Sequence, residues 1–147
     1  MPGFAFAGNF NFLVEIAGLE GESTVVGGFS EVSGISSSSD VIEYRVGSTP
    51  LGAKIPGPAR FGNLKLRRGV TTSLDLYRWR KNIEEGESDL RSGSIVLLDS
   101  AHQERTRWNF YEAWPCSYEA PEFDAQGDGI SIETLELCVE RIERVDP

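Results

Sequence analysis

ISIETLELCVERIERV, residues 130–145, decides the fold. Its apolar residues fall on even positions at Ile130 and Ile132, on odd ones at Leu135, Leu137 and Val139, and on an even one again at Ile142. Alternation is the mark of a strand with one buried face. Each change of parity marks a bulge or bend, and bends of this kind occur where a sheet curls into a barrel. Working backward, Trp108, Phe110 and Trp114 alternate with Arg107, Asn109, Tyr111 and Ala113, and 94–99 (SIVLLD) is a short continuous apolar run. The first is expected as a half-buried strand and the second as a fully buried one. PCSYEAPEFDAQGDG, from Pro115 onward, reads as a turn-rich connection.

At the other end, Phe10, Phe12, Val14 and Ile16 share one face of a strand, and a break at 18–23 follows. Residues 24–35 predict a second strand, bulged at Gly27–Gly28, and 40–46 a third with Ile42, Tyr44 and Val46 on one side. One helix interrupts the series. In 72–86 Leu76, Trp79, Arg80 and Ile83 recur at helical spacing, Thr72 and Asp75 form a capping-box pattern, and Gly86 supplies a C-terminal stop. The expectation is a mainly β protein: a barrel of about six to eight antiparallel strands with one flanking α-helix at about 72–85. The 147 residues are expected to form a single domain, 1–147.

Between 47 and 62 lies GSTPLGAKIPGPARFG, sixteen residues with four glycines and three prolines. Proline lacks a backbone donor and glycine loses entropy in regular structure, so this segment is excluded as a helix or a central strand. It is expected as a long extended loop at about 47–60, and loops of that length are functional or disordered. Five of the chain's 14 Lys and Arg residues fall within 54–70, with no acid among them. They are Lys54, Arg60, Lys65, Arg67 and Arg68. Such a run suits a nucleic-acid patch, a phosphate loop, a lid over a barrel mouth or a contact surface for an acidic copy of the same chain. The net charge of −9 opposes the first, since nucleic-acid binding works by releasing counterions from phosphates. The second lacks a Gly-Lys-Ser/Thr ending. An arm docking on an acidic neighbour suits both the local positive and the global negative charge.

Chemistry is scarce. His102 stands alone in a polar turn, and Cys116 and Cys138 are 22 residues apart without a CxxC. No zinc or calcium ligand pattern, nucleophile elbow or HExxH motif occurs. Two half-buried thiols on strands, no cofactor, no metal and no enzymatic activity are expected. Glu133, Glu136, Glu140 and Glu143 space like solvated strand positions. The first twelve residues lack the basic and long apolar regions of a signal peptide, and no apolar run approaches the ~20 residues of a membrane span. Synthesis and retention in a cytosol, without membrane insertion, are the expectation.

The pieces NFLVEI, GGFSEVSGI, VIEYRVG, KIPG, LKLRRGVT, LYRWR, IVLLDS and the long run from Trp108 to Glu143 occur in an order that resembles the tail tube (inner tube) proteins of contractile phages and extracellular contractile injection systems. These are similar in fold to the haemolysin-coregulated protein (Hcp) of type VI secretion. The resemblance implies hexameric rings of this chain stacked into a hollow conduit. It also implies a surrounding sheath protein, baseplate or hub proteins, a terminal cap protein, and DNA or protein-toxin cargo in the lumen. It assigns the Gly/Pro/basic excursion to subunit and ring contacts, with Lys54, Ile55, Pro56, Gly57, Arg60, Arg67 and Arg68 as the residues expected there. Two alternatives accompany it: a tube-initiator paralogue near the baseplate, and a small-ligand-binding β-barrel.

Overall fold

A computed structural model describes residues 11–17, 24–26, 29–45, 47, 52–69, 74–123, 125, 127 and 131–146. Ten strands and one helix follow in the order β1 (Phe12–Ile16), β2 (Thr24–Val26), β3 (Phe29–Ser33), β4 (Ser37–Tyr44), β5 (Ala53–Phe61), β6 (Leu64–Gly69), α1 (Asp75–Glu84), β7 (Arg91–Leu98), β8 (Glu104–Glu119), β9 (Ile132–Cys138) and β10 (Arg141–Val145). The Gly27–Gly28 bulge, Thr72 and Ile130 lie outside the described residues.

Eight strands form one antiparallel sheet in the order β2-β1-β7-β8-β9-β6-β3, with β10 also paired to β8. The 16-residue β8 is its hinge. Its first half pairs with β7 on one side and β10 on the other, and its second half pairs with β9. Glu112, between the halves, has φ 54°, a left-handed conformation that turns the strand. The turn explains why Phe110 is buried before it while Ala113 and Pro115 are buried after it. Trp114 therefore faces away from the core, opposite Cys138. β8 also runs through Pro115 to Glu119, where a turn was expected. A register shift between Pro115 and Ser117 accommodates the proline. The last strand breaks at Val139–Glu140, as its second parity change predicts, and Glu140 N–H donates to Tyr111 O at 3.0 Å. The first parity change has another cause: the buried face is odd from Glu133 onward, so a glutamate heads the core row.

Among the described residues no ladder joins β2 to β3, so the sheet curls into a barrel that stays open along that seam. Its core comprises Val14, Ile16, Leu64, Leu66, Phe110, Leu135 and Leu137, and Leu76 and Trp79 of α1 pack onto it. Trp79 Nε1 donates to Asp89 O at 2.8 Å, which satisfies the one polar atom of the ring. The helix ends as expected at Gly86, φ 85°. Gly86 N–H bonds Ile83 O and Glu87 N–H bonds Asn82 O, the pair of bonds that closes a Schellman end. Its start differs from the capping-box expectation. Leu74 is the N-cap, without a side-chain bond, and Asp75 Oδ1 instead accepts from Leu76 N–H and from Arg68.

β4 and β5 form a separate two-stranded ribbon. Residues 53–61, expected within a loop, are thus a strand. Pro56 and Pro58 are tolerated because β5 is paired on one side only, where the missing donors disturb no second ladder. The ribbon springs from a tight crossing. Gly62 N–H donates to Ser36 O at 3.0 Å, and Gly34, φ 93°, lies so close to Asn63 O that no side chain fits between them.

Candidate assembly surface

Lys54, Ile55, Pro56, Gly57 and Arg60 all lie on β5, and the ribbon brings them together on one projecting element. Arg67 and Arg68 lie on β6 in the body of the sheet. Every residue of β4 is exposed, and so are six of the nine in β5.

Pairing changes the electrostatics expected of this segment. Asp40 holds Arg60 through Nη2 at 2.8 Å and Nε at 3.2 Å, and Glu43 sits directly across from Lys54. Within β4 and β5 two acids face two bases, so the ribbon is balanced rather than positively charged. What it carries in excess is apolar surface. Val41 is 67% exposed, Ile42 45%, Tyr44 44% and Ile55 43%. Ile42 and Ile55 are cross-strand partners on one face, with Tyr44 beside them, while Val41 pairs with Pro56 on the other. An isolated two-stranded ribbon is marginal in water, and one with apolar residues on both faces gains most by being covered.

Arg68 must be removed from the contact surface. It is 3% exposed. Nε donates to Glu133 Oε2 at 2.8 Å and Nη2 to Asp75 Oδ1 at 2.6 Å, with the guanidinium over the Phe29 ring. Tyr118 Oη completes the group by donating to Glu133 Oε1 at 2.9 Å. Burial and the neighbouring carboxylate push the Tyr118 hydroxyl up to about 12. Burial opposes the charge on Arg68, but the bonds to Glu133 and Asp75 outweigh it and raise its pKa. Glu133, read from spacing as solvated, is buried because this partner awaits it across the β6–β9 ladder, where Arg68 and Glu133 are opposite one another. The odd parity it shares with Leu135 and Leu137 was the signal. Arg67 remains exposed, with Nη1 to Glu31 Oε1 at 3.5 Å.

Elsewhere, Cys116 and Cys138 are half-buried free thiols on β8 and β9, and desolvation raises the Cys116 pKa. His102 is exposed in the turn after β7. Among the described residues no three His, Cys, Asp or Glu side chains are placed to hold a metal ion, and no helix is long and apolar enough to cross a membrane.

The chain is similar to one in the cryo-EM structure of an extracellular contractile injection system, the PVC sheath–tube complex in its extended state. The identity is 28%, covering 96% of this chain and 92% of that one, with a TM-score of 0.84. A chain in the structure of the anti-feeding prophage tube-terminating cap matches with a TM-score of 0.86 at 26% identity, covering 100% of this chain and 95% of that one. Hcp1 from Flavobacterium johnsoniae shares the fold, with a TM-score of 0.57 at 18% identity over 92% of this chain and 96% of that one. No curated protein sequence matches. The profile of the T4-like virus tail tube protein gp19 family matches residues 8–143, and the chain belongs to that family. It is a tail tube protein of the contractile injection type.

Proposed function

We propose that this chain is the main tube subunit of a contractile injection particle or phage tail. Hexameric rings of it stack into a hollow conduit for DNA or toxin cargo, inside a sheath and between a baseplate and a terminal cap. Its work is mechanical; it catalyses no reaction and needs no cofactor. The chain is made in the bacterial cytoplasm and incorporated into the particle there. One domain serves this purpose. The observation that carries the reading is the β4–β5 ribbon, charge-balanced and apolar on both faces, held clear of the core by the Gly34–Gly62 crossing. Such an element is stable when a second copy covers it. Lys54, Ile55, Pro56, Gly57, Arg60 and the exposed Arg67 are retained as contact residues, with Val41, Ile42 and Tyr44 added. Self-complementary contacts that close give rings, and head-to-tail contacts that do not close give open-ended stacks. Negative-stain microscopy of the purified chain tests this: rings and tubes are expected, and a monomer at every concentration and salt would overturn it.

A further inference from the structure

One end of the open barrel is a cavity of about 310 Å³, lined by Phe12, Val32, Ile35, Ile95, Leu97 and Trp108. Ile95, Trp108 and Arg144 are successive ladder partners across β7, β8 and β10, on the face that carries the core residue Val14. The two polar residues at the cavity's edge are engaged. Ser30 Oγ donates to Arg67 O at 3.3 Å, and Glu31 pairs with Arg67 at 3.5 Å. Arg144 differs: it is exposed, its guanidinium lies over the Trp108 ring, and among the described residues it forms no ion pair. A site of this size is near the lower end for ligand pockets, and its apolar, aromatic lining suits a single ring. The free cation beside Trp108 favours a ring that arrives with negative charge next to it.

The same chain carries the complement. Among the described residues Phe123 is the most exposed large apolar side chain, at 87%. It stands just past the end of β8 in 119–124 (EAPEFD), which holds three acids and no base. Glu119 and Glu122 are exposed, and among the described residues neither forms an ion pair. Pro121 stiffens the segment, so less entropy is lost when it docks. Phe123 does not serve its own cavity. It lines a surface groove with Glu119, Thr134 and Arg67, successive ladder partners on the face opposite the buried Arg68 and Glu133. Knob and cavity thus lie on opposite faces of one sheet.

We propose that Phe123 of one copy enters this cavity in the next, with Glu122 set against Arg144. The proposal rests on the reading that copies of this chain meet in rings and stacks. Donor and acceptor surfaces differ, so the contact is head-to-tail: each copy gives one ring and receives one, and the contact passes from subunit to subunit. Covering a phenyl ring this exposed strengthens each contact by about tenfold to a hundredfold.

Photo-crosslinking tests the contact. A minor fraction of isotopically heavy chains, carrying photoreactive p-benzoylphenylalanine at position 123, is co-assembled with unaltered chains and irradiated. Adducts should join position 123 to peptides holding residues 32–35, 95–97 or 108 of the unaltered chains. Assemblies whose adducts fall elsewhere, or within the heavy chain itself, would overturn this contact and leave the tube reading standing. Absence of any assembly would overturn both. Assembly thresholds give a second measurement. Phe123→Ser should raise the concentration at which assembly begins by about tenfold to a hundredfold. An unchanged threshold would sink the proposal. Glu122→Arg and Arg144→Glu should each raise the threshold too, and a chain carrying both should return toward the parent value. No recovery in the double variant would show that the two residues do not meet.

Discussion

Replacing Ile42 by Lys and Ile55 by Asp together, which sets opposite charges across the ribbon, should abolish assembly while leaving the chain folded. The two side chains are cross-strand partners, 45% and 43% exposed, and Tyr44 and Val41 add surface at 44% and 67%. Full burial of such a side chain is worth about 1.5–3 kcal/mol, so covering what remains exposed contributes about 0.7–1.3 kcal/mol for each isoleucine and about 3–6 kcal/mol for the four residues together. The double substitution removes about 1.5–2.5 kcal/mol per subunit and places two charged groups where a neighbour would have to desolvate them. That weakens each contact by about tenfold to a hundredfold before the charges are considered, and the loss recurs at every subunit. The free chain suffers little, because surface substitutions usually change stability by about 0.5 kcal/mol or less. Sedimentation velocity and negative staining at matched concentration should show folded monomers where the parent forms rings and tubes. Tubes of normal length would refute the argument that the ribbon's apolar faces drive assembly. Reversing Lys54 and Arg60 is a poorer test, since it sets like charges against Glu43 and Asp40 and damages the ribbon itself.

In that monomeric background, Arg68→Met should cost about 3–5 kcal/mol, because Glu133 and Asp75 lose the buried guanidinium they share. A shift in urea-unfolding free energy below about 1 kcal/mol would show that the clamp holds nothing, since even one lost charged bond should cost more. Tyr118→Phe should cost about 1–2 kcal/mol at neutral pH by depriving Glu133 Oε1 of its donor. The folded pKa of Tyr118 is raised to about 12, above the ordinary ~10. Its contribution is therefore complete below the unfolded value and is lost as pH climbs through the folded one. The gap between parent and variant should narrow as pH rises through that window, and a constant gap in unfolding titrations would contradict the assignment.

Period-two alternation carried the mainly β architecture and the break before Arg141, and 3.6-residue spacing with a closing glycine carried the helix and its Gly86 stop, because a buried face leaves its period in the residues that line it. Three features escaped for separate reasons. The strand through Pro56 and Pro58 was hidden because proline forbids a central strand but not a ribbon paired on one side. Burial of Glu133 was hidden because a glutamate among exposed glutamates looks solvated until its partner across the ladder is known. Ile42 and Tyr44 did announce an apolar face, but alternation records that a face is covered, not whether the cover is the same chain or another copy. The basic run misled in the opposite direction. Its neutralising acids, Asp40 and Glu43, lie only 20 and 11 residues before Arg60 and Lys54, yet they become neighbours only when the ribbon forms.

The charge balance of the ribbon bears on how copies with a net charge of −9 approach one another. Like-charged subunits repel over a range of roughly one Debye length, about 8 Å at physiological salt. A strongly basic arm would answer that repulsion with long-range attraction, but it would also seek any acidic surface, including nucleic acid passing nearby. A neutralised ribbon with apolar faces acts only at contact, where shape and register decide the partner. The internal Asp40–Arg60 pair has a matching role. It is exposed, so it adds little to stability, but it leaves no net charge to be desolvated when Ile42 and Ile55 are covered. The buried clamp of Arg68, Glu133, Asp75 and Tyr118 does the complementary work inside, tying β6, β8, β9 and the start of α1 together. The body is thereby fixed before any neighbour arrives, and the ribbon keeps Val41, Ile42, Tyr44 and Ile55 exposed for it.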